Sequence, residues 1–147
     1  MVIEAATARD LPHVRTLLER HHLPLDGVDD LAPTMIVARD DARVVGVAAL
    51  ELYADGALLR SIAVDPSAQG QGVGQRLTEA ALGMAHQHGA RAVFLLTTTA
   101  ERFFTKFGFE RISRADVAAS VQTSVEFRSA CPASAVVMWK PLAAPAR

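Results

Sequence analysis

The chain has 147 residues, half of them apolar and 21% charged, a composition that suits one globular domain with a sizeable hydrophobic core. Its formal net charge of −1 excludes the broad positive surface on which proteins bind nucleic acids or acidic membranes. The only cysteine, Cys131, excludes an internal disulfide, and no apolar run approaches the ~20 residues that cross a bilayer. The N-terminal stretch is charged, unlike a signal peptide, so we expect a cytoplasmic protein.

The first third of the chain predicts a strand followed by two helices. Residues 2–6 are mostly apolar and favour a strand. Asp10 can cap a helix that carries Pro12 in its first turn, where backbone N–H groups have no acceptor within the helix and proline costs no hydrogen bond. A second, short helix is predicted over 28–31, before Pro33.

Three antiparallel strands are predicted next. The runs 34–39 and 43–52 are rich in β-forming residues and are joined at the turn residues 40–41. The Asp-Gly pair at 55–56 is a hairpin signal that leads into a third strand over 57–64.

A β-α-β unit follows from the third of these strands. An apolar stripe predicts a helix over 72–88, and the continuous apolar run within 91–97 favours a buried strand. A second helical stripe begins at Ala100 and ends at Gly108. Beyond it the pattern weakens, with one short helix predicted over 116–121 and a final strand over 135–139.

Residues 69–74 (QGQGVG) lie between a predicted strand and a predicted helix. Three glycines let the backbone turn tightly and approach a ligand, and the first turn of the helix offers N–H groups that favour an anion. The segment lacks the Lys-Ser/Thr pair of a P-loop and the glycine spacing of a Rossmann turn. It therefore predicts a pyrophosphate site of another kind, the alternative being a structural glycine-rich turn.

Gln69, Gly72 and Gly74 fit the pattern Gln/Arg-x-x-Gly-x-Gly/Ala, which is motif A of the GNAT acyltransferases. The run 103–109 (FFTKFGF) is similar to the segment FY-x-K-x-GF that follows the cofactor helix in that family. The chain resembles GNAT acetyltransferases over residues 2–139. The resemblance implies an α/β (α+β) fold with a mixed, mostly antiparallel, splayed sheet flanked by helices, in one domain over 1–140 with a flexible tail over 141–147.

The same resemblance implies that acetyl-CoA is the cosubstrate, with no metal. In the family, backbone groups of the strand before the glycine turn pair with the pantetheine arm, and the turn amides hold the pyrophosphate. The cofactor-binding residues implied here are Ile62, Ala63, Val64, Gln69, Gly70, Gln71, Gly72, Val73, Gly74, Gln75 and Phe104.

Residues 95–100 (LLTTTA) and 127–136 (FRSACPASAV) are similar to a GNAT branch known for arsenic-resistance N-acetyltransferases. This resemblance implies a small amino-acid-like acceptor with a primary amine and suggests a role in arsenic resistance. The net charge of −1 predicts no nucleic-acid or membrane partner. GNAT domains often dimerise, so a homodimer is an open alternative to a monomer. Two further alternatives are a catalytically weak CoA-binding sensor and a protein or peptide N-acetyltransferase.

Acetyl transfer needs a group that takes the proton of the amine, since an alkylammonium has a pKa near ~10. Glu51 is the carboxylate nearest the expected active centre and is our candidate for this role. Tyr53, the only tyrosine, lies on the same face and is a fallback acid, although packing in the core or the hairpin is the commoner role for such a residue.

If 55–56 is a two-residue turn, register counting places Glu51 opposite Arg60. The pair has two interpretations. It is either a cross-strand ion pair of small energetic effect, or a clamp in which Arg60 binds a substrate carboxylate and Glu51 orients it.

Thr97 and Thr98 end a predicted strand and are candidate substrate contacts, while Thr99 is a natural N-cap for the next helix. Cys131 is a further candidate in the acceptor pocket, although a buried, inert cysteine is the commoner case. The family often has a tyrosine four residues before the glycine of the GF pair. This chain has Phe104 there, which cannot donate a proton to the departing thiolate.

Overall fold

The computed structural model describes residues 1–130 and 134–142. The chain forms two compact units, one of residues 1–51 and 59–84 and the other of residues 52–58 and 85–147. Seven strands form a mixed sheet in the order β1-β2-β3-β4-β5-β7-β6. They are β1 Val2–Ala5, β2 Met35–Asp40, β3 Arg43–Tyr53, β4 Gly56–Val64, β5 Ala92–Thr97, β6 Glu110–Arg111 and β7 Val136–Pro141.

Three α-helices and several short helical turns join the strands. The α-helices are α1 Leu11–Arg20, α2 Val73–Gln87 and α3 Glu101–Thr105. The 3₁₀ turns are Ala8–Asp10, Val28–Thr34, Pro66–Ala68, Arg114–Asp116 and Val121–Thr123, and a π-helical turn spans Glu126–Ala130. No helix in the described part of the chain is long and apolar enough to cross a membrane.

In the first unit, β1, β2 and β3 pair antiparallel, and the register places Val37 opposite Val47. The register of the β2–β3 pair shifts between Ala38 and Arg39. The apolar face of α1 packs on this sheet, where Val14, Leu17, Leu18, Met35, Val37, Val47, Ala49 and Ala63 share one buried cluster. Asp10, at the junction of β1 and α1, accepts two hydrogen bonds from Arg39, at 2.8 and 2.7 Å.

In the second unit, the start of β4 pairs in parallel with β5, with Ala57 opposite Val93. β7 pairs antiparallel with both β5 and β6, which makes it the central strand of that part of the sheet. A separate buried cluster forms here, and Phe94 stacks on Trp139 with 6.2 Å between ring centroids.

The predicted hairpin turn is wrong by one residue. β3 continues to Tyr53 and β4 begins at Gly56, so the turn residues are 54–55. A Cβ on Gly56 would lie 2.8 Å from Cε2 of Phe94, so the glycine is needed for packing within the strand rather than for the turn.

Two predicted helices also differ. The helix predicted over 28–31 is the 3₁₀ helix Val28–Thr34, which includes Pro33. The helix predicted over 116–121 is wrong, because only the short turns flanking it are helical and the N–H of Ser120 donates to the carboxylate of Asp55 at 3.1 Å.

The helix predicted from Ala100 exists, but it is shorter and has a different cap. Ala100 is the N-cap of α3, and its N–H donates to the hydroxyl of Thr97 at 3.0 Å. The prediction that Thr99 caps this helix is therefore wrong. The hydroxyl that accepts at this end of the helix belongs to Thr97, three residues before the donor N–H of Ala100.

Two glycine substitutions should change the free energy of unfolding in opposite directions. Gly56→Ala should lower it by about 1–3 kcal/mol, because the new methyl overlaps a ring of Phe94 that is itself stacked on Trp139. Gly83→Ala is the matched control. It lies on the exposed face of α2 with nothing within 4 Å, so it should raise stability by about 0.5–1 kcal/mol. Urea unfolding of both variants measures this, and equal effects at the two sites would contradict the packing role of Gly56.

Candidate cofactor and acceptor site

The glycine-rich turn leads directly into α2. Gly70 and Gly72 have φ values of +79° and +77°, and a Cβ at either position would meet nothing within 4 Å. The glycines are therefore required by backbone conformation, which L side chains rarely adopt, and the space beside them is open. The N–H of Arg76 makes the first helical hydrogen bond, to the carbonyl of Gly72 at 3.1 Å. The N–H groups of Val73 and Gly74 precede that bond and have no acceptor within the helix.

The turn is exposed to solvent and anchored at both of its ends. Residues 69–72 are exposed, while Val73 is 2% exposed and anchors the start of α2 in the core. The side chain of Gln69 donates to the carbonyl of Val64 at 3.1 Å, which ties the turn back to the end of β4. Amide hydrogens at the positive end of a helix dipole favour phosphate groups.

Asp65 organises the chain between β4 and the glycine turn. One carboxylate oxygen accepts from the N–H and the hydroxyl of Ser67, at 2.9 and 2.7 Å. The other accepts from Arg43 at 3.1 Å and Arg20 at 3.4 Å. The N–H of Asp65 donates to the carbonyl of Val45 at 2.7 Å, so the turn is tied to β3 and α1 as well. The hydrogen bonds of Ser67 and the two guanidinium groups together lower the pKa of Asp65 below its ordinary range.

A cavity of about 680 Å³ opens beside Asp65 in the first unit. Its lining includes His13, Arg20, Asp40 and Arg43, and none of the residues predicted for the cofactor or the acceptor. Among the described residues, no group of three or more His, Cys, Asp or Glu side chains is placed to hold a metal ion.

The strand β4 is irregular where it approaches the glycine turn. Ser61 has φ +59°, an uncommon value for a residue other than glycine, and is 6% exposed. Beyond it Ile62 and Val64 are half-buried, while Ala63 is 4% exposed and packs in the cluster under α1. Sequence patterns carry no signal for a left-handed serine, so this feature was not predicted.

Arg60 is buried beside Ser61, and its side chain is only 1% exposed. The guanidinium donates to Glu51 at 2.9 Å, to the hydroxyl of Ser61 at 3.1 Å and to the carbonyl of Pro24 at 3.3 Å. The predicted ion pair with Glu51 is therefore present, although the register count that led to it assumed the wrong turn. Glu51 keeps 17% of its side chain exposed, so its carboxylate is reachable from solvent.

The remaining predicted residues lie in the second unit. Thr97 is half-buried with its hydroxyl bonded to the N–H of Ala100, and Thr98 is exposed. Phe104 is 7% exposed and makes edge-to-face contacts with Phe103 and Phe109, at 5.1 and 5.8 Å between ring centroids.

Tyr53 and Cys131 complete the predicted set. Tyr53 is half-buried and packs against the cluster that contains Leu58 and Phe94, as the packing alternative expected. Cys131 lies outside the described residues, so its place in an acceptor pocket stays a prediction.

The paired state of Asp65 should make stability depend on pH. Because its pKa is lower in the folded than in the unfolded chain, Asp65 stabilises the fold above about pH 4, and this stabilisation is lost as pH falls through the folded pKa. Asp65→Asn should therefore lower the free energy of unfolding at pH 7, and the difference from the parent protein should shrink below about pH 4.

Asp29→Asn is the control for this experiment. Asp29 forms an exposed ion pair with Arg15, so its loss should change stability by about 0.5 kcal/mol or less. Denaturant unfolding at several pH values gives both differences. A deficit for the Asp65 variant that stays constant down to pH 2 would contradict the stated cause.

Residues 32–111 match the family described as an acetyltransferase (GNAT) domain. Among curated proteins, the chain is similar to the amino-acid acetyltransferase of Mycobacterium tuberculosis, with 38% identity over 80 residues, 54% of this chain and 45% of that protein. It is also 33% identical over 99 residues to the citrate (pro-3S)-lyase ligase of Klebsiella pneumoniae, 67% of this chain and 27% of that protein. The match thus spans less than half the length of either relative.

Solved structures show the same fold. The protein Rv2747 of Mycobacterium tuberculosis, determined with CoA, superposes with a TM-score of 0.81 and 23% identity, over 97% of this chain and 100% of that one. The N-acetylglutamate synthase of Neisseria gonorrhoeae, complexed with coenzyme A and N-acetyl-glutamate, gives a TM-score of 0.83 at 23% identity, over 97% of this chain and 35% of that one. The predicted α/β fold, a mixed sheet flanked by helices, is confirmed. Because the family match covers more than half of the sequence, this chain belongs to the GNAT acetyltransferase family.

Proposed function

We propose that this protein transfers the acetyl group of acetyl-CoA to the primary amine of a small amino-acid-like acceptor. The observation that carries the proposal is the turn over residues 69–74, in a chain of the GNAT family. Its glycines have left-handed conformations and leave open space beside the N-terminus of α2. The lone cysteine supports a reducing compartment, and we propose the cytoplasm.

The turn fits the pyrophosphate of CoA in conformation and in charge. Gly70 and Gly72 leave the space beside the backbone open, and the amides of Val73 and Gly74 can donate to phosphate oxygens. Ile62 and Val64 are half-buried at the end of β4, before the glycine turn. Their backbone is our candidate for the segment that lies along the pantetheine arm. Bound acetyl-CoA would supply a thioester, which an amine attacks readily. Relatives of this fold have been solved with CoA, which supports the choice of donor.

The acceptor class rests on the relatives rather than on a visible pocket. The curated relative at 38% identity is an amino-acid acetyltransferase, and a solved neighbour holds N-acetyl-glutamate. The narrower assignment to arsenic resistance rests on residues 95–100 and 127–136 alone, and part of the second segment lies outside the described residues. An amino-acid-like amine is compatible with both the amino-acid acetyltransferase and the arsenic-resistance assignment, so we propose that class of acceptor.

Glu51 is the proposed acceptor of the amine's proton. Its carboxylate is held in place by Arg60 and is 17% exposed, so it is both oriented and reachable. Thr97, Thr98 and Cys131 are kept as proposed acceptor contacts. Tyr53 is kept as the second proton-transfer candidate, since Phe104 has no proton to donate.

Two other functions make different predictions. A CoA-binding sensor would bind acetyl-CoA without releasing thiol, and the phenylalanine at position 104 is the feature that favours it. A peptide N-acetyltransferase would accept peptide amines and reject free amino acids. The ribosomal-protein-S18-alanine N-acetyltransferase of Escherichia coli shares the fold at 20% identity, which shows only that this architecture also serves a protein substrate.

Acceptor identity can be tested by thermal shift and by turnover. With CoA present, a panel of amino acids and amines should contain members that raise the melting temperature, because a ligand that binds only the folded state stabilises it by mass action. The same members should release free thiol from acetyl-CoA in a single-turnover assay. Saturable binding without thiol release would support the sensor instead, and release with peptides alone would support the peptide enzyme.

Substitution of Gly72 should weaken CoA binding. Alanine at φ +77° carries a strain of about 1–2 kcal/mol, so we expect Gly72→Ala to lower affinity for CoA about 5- to 30-fold. Gly72→Asn should lose less, because asparagine adopts this conformation more readily than alanine. Calorimetric titration with CoA gives the order, with Gly83→Ala as the control that leaves the turn intact. Equal affinity in all four proteins would contradict the role of the turn.

A further inference from the structure

Arg60 is a buried cation on the strand that leads to the proposed cofactor site. Its side chain is 1% exposed, and its three nitrogens donate to three acceptors from different parts of the first unit. These are the carboxylate of Glu51 on β3, the hydroxyl of Ser61 on β4 and the carbonyl of Pro24 in the segment after α1. Only a planar guanidinium can serve three such acceptors with fixed geometry.

The neighbouring residue is the most strained position in this strand. Ser61 is a buried residue with φ +59° inside a nine-residue strand. Such a conformation persists only where the surroundings hold it, and it tends to lie at functional sites. The hydrogen bond from Nε of Arg60 to the hydroxyl of Ser61, at 3.1 Å, is a contact that holds it here.

The direction of the next three residues depends on that conformation. Because a left-handed residue breaks the regular alternation of a strand, it resets the way the following backbone groups point. Ile62 and Val64 come directly after it, and they are the residues proposed to run along the pantetheine arm.

We propose that Arg60 is a positioning residue, which holds Ser61 in the left-handed conformation and so aims the backbone of residues 62–64 at CoA. The inference rests on the proposed function for the identity of the ligand. This role differs from a clamp on a substrate carboxylate. The guanidinium is buried and already donates to three protein acceptors, so we expect it to act by holding those groups rather than by binding substrate.

A glycine in the segment after α1 also lies near the guanidinium of Arg60. Gly27 has φ +73°, and a Cβ built on it would lie 3.9 Å from Nη1 of Arg60. The segment after α1 therefore lies beside the guanidinium, and the carbonyl of Pro24 in this segment accepts one of its hydrogen bonds.

The test uses Arg60→Lys in two backgrounds. Lysine keeps the positive charge beside Glu51 but lacks the fork that also reaches Ser61 and Pro24. We expect the dissociation constant for CoA, measured by calorimetry, to rise about tenfold, while the KM for the acceptor amine stays within about twofold. In a Ser61→Gly background, glycine adopts a positive φ without help, so the same lysine substitution should raise the CoA dissociation constant by about threefold or less.

Each other outcome overturns the inference. A raised KM for the acceptor with unchanged CoA affinity would make Arg60 a substrate clamp. A lowered melting temperature with both constants unchanged would make it a structural ion pair. An equal loss of CoA affinity in both backgrounds would show that Arg60 does not act through Ser61.

Two further measurements keep the test decisive. If the lysine variant does not fold, Ser61→Val probes the same backbone position, and we expect about a tenfold loss of CoA affinity because a β-branched residue is disfavoured at φ +59°. Unaltered affinity in that variant would also overturn the inference. Failure of the parent protein to bind CoA at all would instead overturn the proposed function, so the two failures are distinguishable.

Discussion

Eight residues, 65–72, connect the end of the strand β4 to the start of the helix α2, and the conformation of this connection forms the candidate site. Two left-handed glycines reverse the backbone without side chains in the way. Asp65 holds the segment before the glycine turn in place. It accepts hydrogen bonds from Ser67 in that segment and from Arg20 and Arg43, which come earlier in the chain. The rigidity of this segment matters because amide donors bind an anion well only when they are already oriented toward one position.

The helix pattern, the glycine turn and the family were predictable from the sequence, because each rests on local rules. The helix predicted over 72–88 is α2, Val73–Gln87, and the contact between Glu51 and Arg60, one of the two interpretations of that pair, is present. The errors arise where tertiary packing overrides a local signal. Gly56 indicated a turn but is required by the ring of Phe94, and Thr97 rather than Thr99 supplies the hydroxyl at the start of α3.

The features that were missed have no signature in a single sequence. A serine at φ +59° looks like any other serine, and Asp65 before a proline indicates only the end of a strand. Both are buried polar residues. Asp65 depends on a partner distant in the chain, Arg20, which is 45 residues away. Ser61 bonds its neighbour Arg60, whose guanidinium is itself held by the carbonyl of Pro24, 36 residues earlier. Such contacts follow from the fold, and periodicity does not reveal them.

All eight aromatic residues of the chain fall in the second of the two compact units. Trp139 stacks on Phe94, and Phe104 contacts both Phe103 and Phe109. Tryptophan fluorescence and near-ultraviolet dichroism consequently report on that unit alone, whereas the glycine turn and Arg60 lie in a unit that contributes to neither signal. Far-ultraviolet dichroism, which senses helices α1 and α2, would be needed beside fluorescence to learn whether the two units unfold together.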